Sequence, residues 1–194
     1  MKQPRVSVIK NNIEKYTPIP NTNNDCEMGQ WVDQLMMEKG HAIDRHGRVD
    51  MPEYNIDNKT RKKGSKASYT VGSMTIRGII NTANWKDTGY FPKTQNQNQV
   101  TWDPVFKEIS NVTILDMDIP EIQDKLAEGY NDVRNQLISG NRSKEIKSKN
   151  GWVVLDGYGH QNSYRMRIPN KAMNDIKTLS AARDSLKLNF DFGE

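Results

Sequence analysis

With a single cysteine, Cys26, in 194 residues, the chain can form no internal disulfide. Such usage suits a reducing compartment. Cys26 and three histidines, His41, His46 and His160, are too few soft ligands for an ordinary structural zinc site. No apolar run approaches the roughly 18 residues that a membrane-crossing helix needs. The opening stretch, Met1 to Lys10, lacks the apolar centre of a secretory leader. Together these absences predict a soluble protein, with no membrane partner, working in the cytoplasm. Internal repeats and long low-complexity linkers are missing too, so one domain is expected over 1–194.

What is present suits a folded, polyanion-binding protein. Aromatic residues make up 8% of the chain, and four tryptophans, Trp31, Trp85, Trp102 and Trp152, are spread along it. That argues against disorder. Trp31, Trp102 and Trp152 are expected in the core rather than as platforms for bases. Lys and Arg outnumber Asp and Glu by 28 to 24, a formal charge of +4. The distribution says more than the total. Basic residues gather at Lys59–Lys66, at Arg142–Lys149 and at Arg165–Lys171, whereas Asp116–Asp132 is acidic. Separated signs are the footprint of a polyanion binder, although solvated faces and loops give the same pattern.

Periodicity outlines the elements. Residues 10–25 read as an irregular arm. Met28, Trp31, Val32, Leu35 and Met36 recur at helical spacing up to a stop at Gly40. Short strands are expected around 47–53, 54–60 and 69–80, with the basic segment 61–66 as the turn between the last two. Residues 81–99 read as an Asn/Gln-rich loop around Trp85, suited to a mobile contact. Strands at 100–102 and 112–115 precede the strongest helix, 120–139. Strands at 152–155 and 164–168, a helix from Pro169 to about Ser180, and a last strand at 186–190 complete the chain. Hairpins mixed with helices predict an α/β fold, with one mixed, partly antiparallel central sheet flanked by helices.

The informative stretch runs from Asp50 to Lys59. Six residues separate Asp50 from an Asp57-Asn58-Lys59 triplet. In a strand, residues two apart share a face about 7 Å apart, so Asp57 and Lys59 would face one way and Asn58 the other. If the chain doubles back after Asp50, the two carboxylates can meet around a hard divalent cation. Mg²⁺ suits such a set, since it takes one or two carboxylates with waters and phosphate oxygens. Such an ion activates water and offsets charge on a phosphate. Lys59 could orient that water and stabilise the transition state. The bland alternative is a pair of exposed turn acids beside a basic loop. A histidine-and-metal chemistry through His41, Asp44, His46 and Asn55 has looser spacing and no second ligand group.

The chain resembles the MutH mismatch-repair nickase and its relatives, the GATC-cutting type II restriction endonucleases, within the PD-(D/E)xK nucleases. Asp50 and Asp57-x-Lys59 are similar to the family's acid, six-residue gap and acid-x-Lys signature. Gly29-Gln-Trp-Val-Asp33 resembles its helical Gly-x-x-x-acid segment, and Val100-Thr-Trp-Asp103 its Val-Thr-Trp-Glu. Leu137-Ile-Ser-Gly140 is similar to the end of its Glu-rich helix. Arg167-Ile-Pro-Asn-Lys171-Ala172 resembles its Arg-Pro-Lys-Ala recognition segment, and Leu186-Lys-Leu-Asn-Phe190 its closing Leu-Lys-Lys-Asn-Phe. The matches follow the same order along most of the chain.

The resemblance implies a restriction-endonuclease-like fold with a DNA cleft between a catalytic lobe, about 1–119, and a recognition lobe, about 120–194. It implies Mg²⁺-dependent hydrolysis of double-stranded DNA, sequence-specific, leaving 5′-phosphate and 3′-hydroxyl ends. Asp50, Asp57, Lys59 and Asp33 would be catalytic. Asp50, Asp57 and the Asn58 main-chain carbonyl would hold the metal. Arg61, Lys62, Lys63 and Lys66 would grip the backbone, with Arg167, Lys171, Ser185 and Lys187 as recognition candidates. The partners would be double-stranded DNA and a MutL-type repair protein, with the chain a monomer or weak dimer. Departures stand beside the likeness. Asp57 replaces a glutamate, Ile168 and Asn170 lengthen the recognition segment, Ser185 stands where MutH has tyrosine, and only Lys107 lies near a further family lysine. Two alternatives differ in class: a structure-dependent or phage DNA-degrading nuclease, and a non-catalytic DNA-binding module that kept the fold.

Overall fold

The computed structural model describes residues 19–44, 48–65, 68–158 and 162–190, the side chains of 158 and 183–190 excepted. The chain divides into two compact units, Met1–Ser65 with Gln95–Asp116, and Lys66–Thr94 with Met117–Glu194. Each has its own sheet, and the described residues include four α-helices. The fold is mixed α/β, but with two sheets where one central sheet is expected from the sequence.

In the first unit, helix α1 (Asp25–Glu38) begins where Asn24 accepts a hydrogen bond from the Cys26 amide at 2.9 Å. Asp25 and Glu27 complement the positive end of the helix dipole. It ends at Gly40, φ +85°. There the Gly40 amide donates to Met37 O and the His41 amide to Met36 O, an arrangement that glycine's freedom at positive φ permits. Its apolar face buries Met28, Val32, Leu35 and Met36.

Strands β1 (Ile56–Lys62), β3 (Asn96–Asp103) and β4 (Glu108–Asp116) form the first sheet, in the order β1-β3-β4. β1 runs parallel to β3, and β3 and β4 form an antiparallel hairpin. The β3–β4 turn includes Lys107 at φ +51°. Val32, Leu35 and Met36 pack on Met51, Ile56, Val100 and Val112. Each such side chain taken from water contributes about 1.5–3 kcal/mol. Trp102, fully buried beside Met28 and Ile19, donates its indole N–H to Asp25 at 2.9 Å.

Two sequence-based strands change here. Of the segment 47–53, the described residues 48–53 pair only through one bridge, Met51 to Ile56, which closes a tight turn with Asn55 at φ +55°. Asparagine tolerates that left-handed backbone better than most residues. β1 does not turn back onto the next strand either, because it pairs with β3 and extends through Arg61 and Lys62.

The second unit holds β2 (Tyr69–Thr75), β5 (Glu145–Lys147), β6 (Val154–Tyr158) and β7 (Ser163–Ile168), antiparallel in the order β2-β7-β6-β5. Helix α2 (Ile76–Asn81) takes the end of the expected strand 69–80. Helix α3 (Pro120–Ile138) opens on a proline at its first turn, where no intrahelical N–H is lost. Ile122, Leu126, Tyr130, Val133 and Leu137 form its buried stripe. At Gly129 a Cβ would meet Val153 Cγ2 at 2.8 Å, so the helix lies closer to residues 148–153 than alanine allows.

Of the mobile loop expected over 81–99, residues 81–94 around Trp85 are built into this unit, and 96–99 belong to β3 of the first. Trp85 is buried among Tyr90, Phe91 and Tyr130, and its indole donates to Gln123 at 2.9 Å. Tyr130 donates to the carbonyls of Ile79 and Thr82, and Arg134, one turn on, to that of Ile80. These bonds help satisfy carbonyls freed at the end of α2, that of Ile79 also accepting from the Thr82 amide at 3.4 Å. Burial pushes the Tyr130 hydroxyl up to about 12. Helix α4 (Asn170–Phe190) runs through the segment expected as a closing strand at 186–190.

Candidate active site

The site is built on β1, the edge strand of its sheet. Alternation along the strand sends Asp57 and Lys59 to one face and Asn58 to the other, toward α1. Asp57 is 1% exposed. Its Oδ2 forms an ion pair with Lys59 Nζ, and the Lys59 side chain keeps 21% of its surface in solvent. Across the parallel ladder Asp57 stands beside Gln97 and Lys59 beside Gln99. Both glutamines are buried, and Gln99 donates to Gln97 at 3.1 Å. The acid and the ammonium therefore lie on a polar, largely desolvated patch, where charge interactions are stronger than in water.

Asp50 approaches from the side. Its Oδ2 accepts the main-chain N–H of Asn58 at 2.7 Å. That N–H points away from β3, to the free edge of the strand. A strand residue's N–H and C=O point the same way, so the Asn58 carbonyl opens to the same edge as the Asp50 carboxylate. The bound amide belongs to the peptide joining Asp57 to Asn58, so the two acids are one peptide group apart along this contact.

The Asn58 side chain is held as firmly as its backbone. Its Nδ2 donates to Asp33 Oδ1 on α1 at 3.0 Å, and its Oδ1 accepts from Asn98 Nδ2 at 3.1 Å. Asn98 is fully buried, and among the described residues nothing donates to its own Oδ1. Asp33, Asp50 and Asn58 thus come together, as do Asp57 and Lys59. Asp33 meets the Asn58 amide on the α1 face, whereas Lys59 is on the other. Gln97, Asn98 and Gln99, expected as loop from the sequence, are strand residues of β3. The signal was there in Asn96-Gln-Asn-Gln-Val-Thr-Trp, which runs without a break into a strand whose apolar residues are core.

Two hard oxygen donors meet at this edge, the Asp50 carboxylate and the Asn58 main-chain carbonyl, and the Asp57 carboxylate lies on the adjoining buried face. That set fits Mg²⁺, which takes few protein ligands and keeps waters. Among the described residues no group of three or more His, Cys, Asp or Glu could hold a metal, so a site richer in protein ligands is absent there. Of the rival histidine set, the His41 ring packs edge-on against Tyr54 at 5.7 Å and Asn55 serves the tight turn, while His46 lies outside the described residues.

The cations expected to hold DNA are differently occupied. Arg61 donates to the Ser65 carbonyl, Lys62 lies 5.7 Å from the Trp102 ring centre, and Lys63 is 3.0 Å from Asp103 and 5.9 Å from the Phe106 ring centre. Lys66 lies outside the described residues. In the second unit Arg167 pairs with Glu145 at 2.8 Å and approaches Asp156 at 3.8 Å. Lys171 is exposed on the first turn of α4. Ser185 and Lys187 are on the same helix, with side chains outside the described ones.

Asp103, the acid closing Val-Thr-Trp-Asp, braces the β3–β4 turn. It accepts from Lys63 Nζ at 3.0 Å and from the amides of Val105 and Phe106 at 2.9 and 3.2 Å. The Lys63 hydrogen bond chiefly, with those amides, holds its carboxyl below the usual 3.8. A depressed carboxyl stabilises the fold above its unfolded pKa, and that contribution is lost as pH falls through the folded value. Asp103→Asn is therefore expected to lower the Tm at neutral pH, and the gap from wild type should close below about pH 3.8. Melting curves from pH 7 to 2.5 check this; a gap that does not change with pH would refute it.

By sequence, the chain matches no protein-family model, and no curated protein aligns with it significantly. Among the described residues no helix is long and apolar enough to cross a membrane.

Proposed function

We propose that the chain is a Mg²⁺-dependent endonuclease of double-stranded DNA, of the kind represented by MutH and the GATC-cutting restriction enzymes. One observation carries the reading: Asp57 and Lys59 share a buried strand face while Asp50 grips the peptide between them. Asp50, Asp57 and the Asn58 carbonyl would hold the ion, which when bound lowers the pKa of a water and offsets phosphate charge. Asp33 and Asn98 lock the Asn58 amide and so hold its carbonyl in place. The Lys59 ammonium, held against Asp57, orients the attacking water and stabilises charge growing on the phosphate oxygens. The water oxygen bonds to phosphorus, the P–O3′ bond breaks, and the leaving oxygen takes a proton. The products are a 5′-phosphate and a 3′-hydroxyl. Sequence selectivity through Arg167 and Lys171, cytoplasmic work and a MutL-type partner belong to the same proposal.

The rival is a DNA-binding module without hydrolysis, and the 1% exposure of Asp57 favours it, because so enclosed a carboxylate can serve the fold alone. Incubating supercoiled plasmid with the protein, in Mg²⁺ and in EDTA, separates the two. The proposal expects nicked or linear product only with Mg²⁺, with ends whose sequencing reveals any preferred site. Salt-sensitive binding with no product in Mg²⁺ would leave the binding module standing.

A further inference from the structure

The second basic cluster of the sequence, Arg142 to Lys149, is sorted by the fold into two kinds of cation. Lys147 pairs with Glu145 at 2.9 Å, and Lys149 lies 3.9 Å from Asp132. Arg142 and Lys144 have no acidic partner among the described residues, and both line a hollow of about 630 Å³ in the second unit. A second hollow of about 560 Å³ shares Ile76, Arg142 and Asn162 with it and adds Arg77, brought in from α2. Arg77 also lacks an acidic partner among the described residues. Among the described residues no aspartate or glutamate lines either hollow. Among the described residues, three cations without an acidic partner line a trough made of these two adjoining hollows, even though Glu145 is the next residue after Lys144.

The trough is also held in shape. Arg142 Nη1 donates to the carbonyls of Leu137 and Asn141 at 2.6 and 2.9 Å, which fixes its guanidinium at the end of α3. The Lys144 carbonyl accepts from the Gly157 amide at 2.6 Å, and Tyr164 Oη donates to the Ser143 carbonyl at 2.8 Å. Asn162, at φ +47°, offers its carbonyl to the Ile76 amide at 2.8 Å. Cations pinned beforehand lose less freedom on binding an anion. Ile76, Ile80 and Tyr164 supply apolar wall between them, suited to sugar faces lying between phosphates.

We infer that this trough, with Arg77, Arg142 and Lys144, is a binding groove for the phosphodiester backbone of DNA, separate from the residues of the candidate active site. It rests on the proposed function in taking the polyanion to be the nuclease substrate. It gives the second unit a role in anchoring that strand by charge and shape, independent of base sequence.

The test is fluorescence anisotropy of a short labelled DNA duplex in EDTA, where binding is read without cleavage. Arg77→Ala/Lys144→Ala is the variant; Arg142 is left intact because it holds two carbonyls. Lys147→Ala/Lys149→Ala is the control, since it changes the net charge equally but removes cations that already have acidic partners. The variant is expected to bind about tenfold or more weakly at 0.1 M salt, and its log–log salt slope to fall by about two. The control should stay within about twofold of wild type. Equal weakening in variant and control, or none in the variant, overturns the groove. Melting curves matching wild type confirm that both pairs fold. Plasmid cleavage runs alongside: hydrolysis with an unaffected variant sinks the groove alone, and groove-dependent binding without hydrolysis sinks the nuclease reading alone.

Discussion

Asp50→Asn is expected to reduce Mg²⁺-dependent plasmid cleavage by at least about 10²–10³-fold, the scale on which one charge-stabilising group contributes, while duplex affinity in EDTA hardly moves. The substitution is nearly isosteric. An asparagine oxygen can still accept the Asn58 amide that Asp50 accepts at 2.7 Å, so the strand edge should remain formed. What disappears is the negative charge beside the Asn58 carbonyl, and with it half of the carboxylate charge available to a divalent ion. Two readings besides turnover make the test specific. Mg²⁺ should raise the Tm of wild type, because a ligand that binds only the folded state stabilises it by mass action. The same addition should leave the Tm of Asp50→Asn nearly unchanged. Undiminished cleavage by the variant would remove Asp50 from the site, whatever the activity of the wild type.

Lys59→Met is expected to cost about 3–5 kcal/mol of folding stability, because it leaves the Asp57 charge buried without its counter-ion. The Asp57 side chain keeps 2% of its surface and that of Lys59 21%, so water replaces little of the lost interaction. Combining Lys59→Met with Asp57→Asn should recover most of the loss, since the two changes together remove the charges and not just one of them. The double-mutant cycle, measured by urea unfolding, reports the coupling directly. Additive losses would mean that the pair is solvated and the patch less enclosed than its geometry indicates. Both substitutions should abolish cleavage, so the double variant's restored stability separates a catalytic loss from an unfolded protein.

Much of the local architecture follows from spacing alone. Met28, Val32, Leu35 and Met36 lie on one face at a 3.6-residue period, and Gly40 supplies the left-handed exit that ends the helix. Pro120 and the stripe from Ile122 to Leu137 do the same for α3. Trp102 and Trp152 are core, as their setting suggests. The period fails where two patterns overlap. Leu186-Lys-Leu-Asn-Phe alternates like a strand, yet the helix begun at Asn170 continues through it, since alternation over five residues is weaker than an established helical ladder. Ile76-Arg-Gly-Ile-Ile likewise reads as strand, but Thr75 accepts from the Gly78 amide and turns it into a helix.

The chain's own alternation was enough to set Asp57 and Lys59 on one face of a strand with Asn58 on the other, because the two-residue period is a property of extended backbone. Tertiary structure alone decided what meets that strand. β1 joins β3, some forty residues on in sequence, instead of turning onto β2, and so Gln97, Asn98 and Gln99 face the triplet. It likewise decided that Lys63 and Arg167 answer to acids while, among the described residues, Arg77, Arg142 and Lys144 do not. Pairing between distant segments depends on shapes and partners that no local pattern records, and the electrostatic character of a charged residue is settled only by its neighbour.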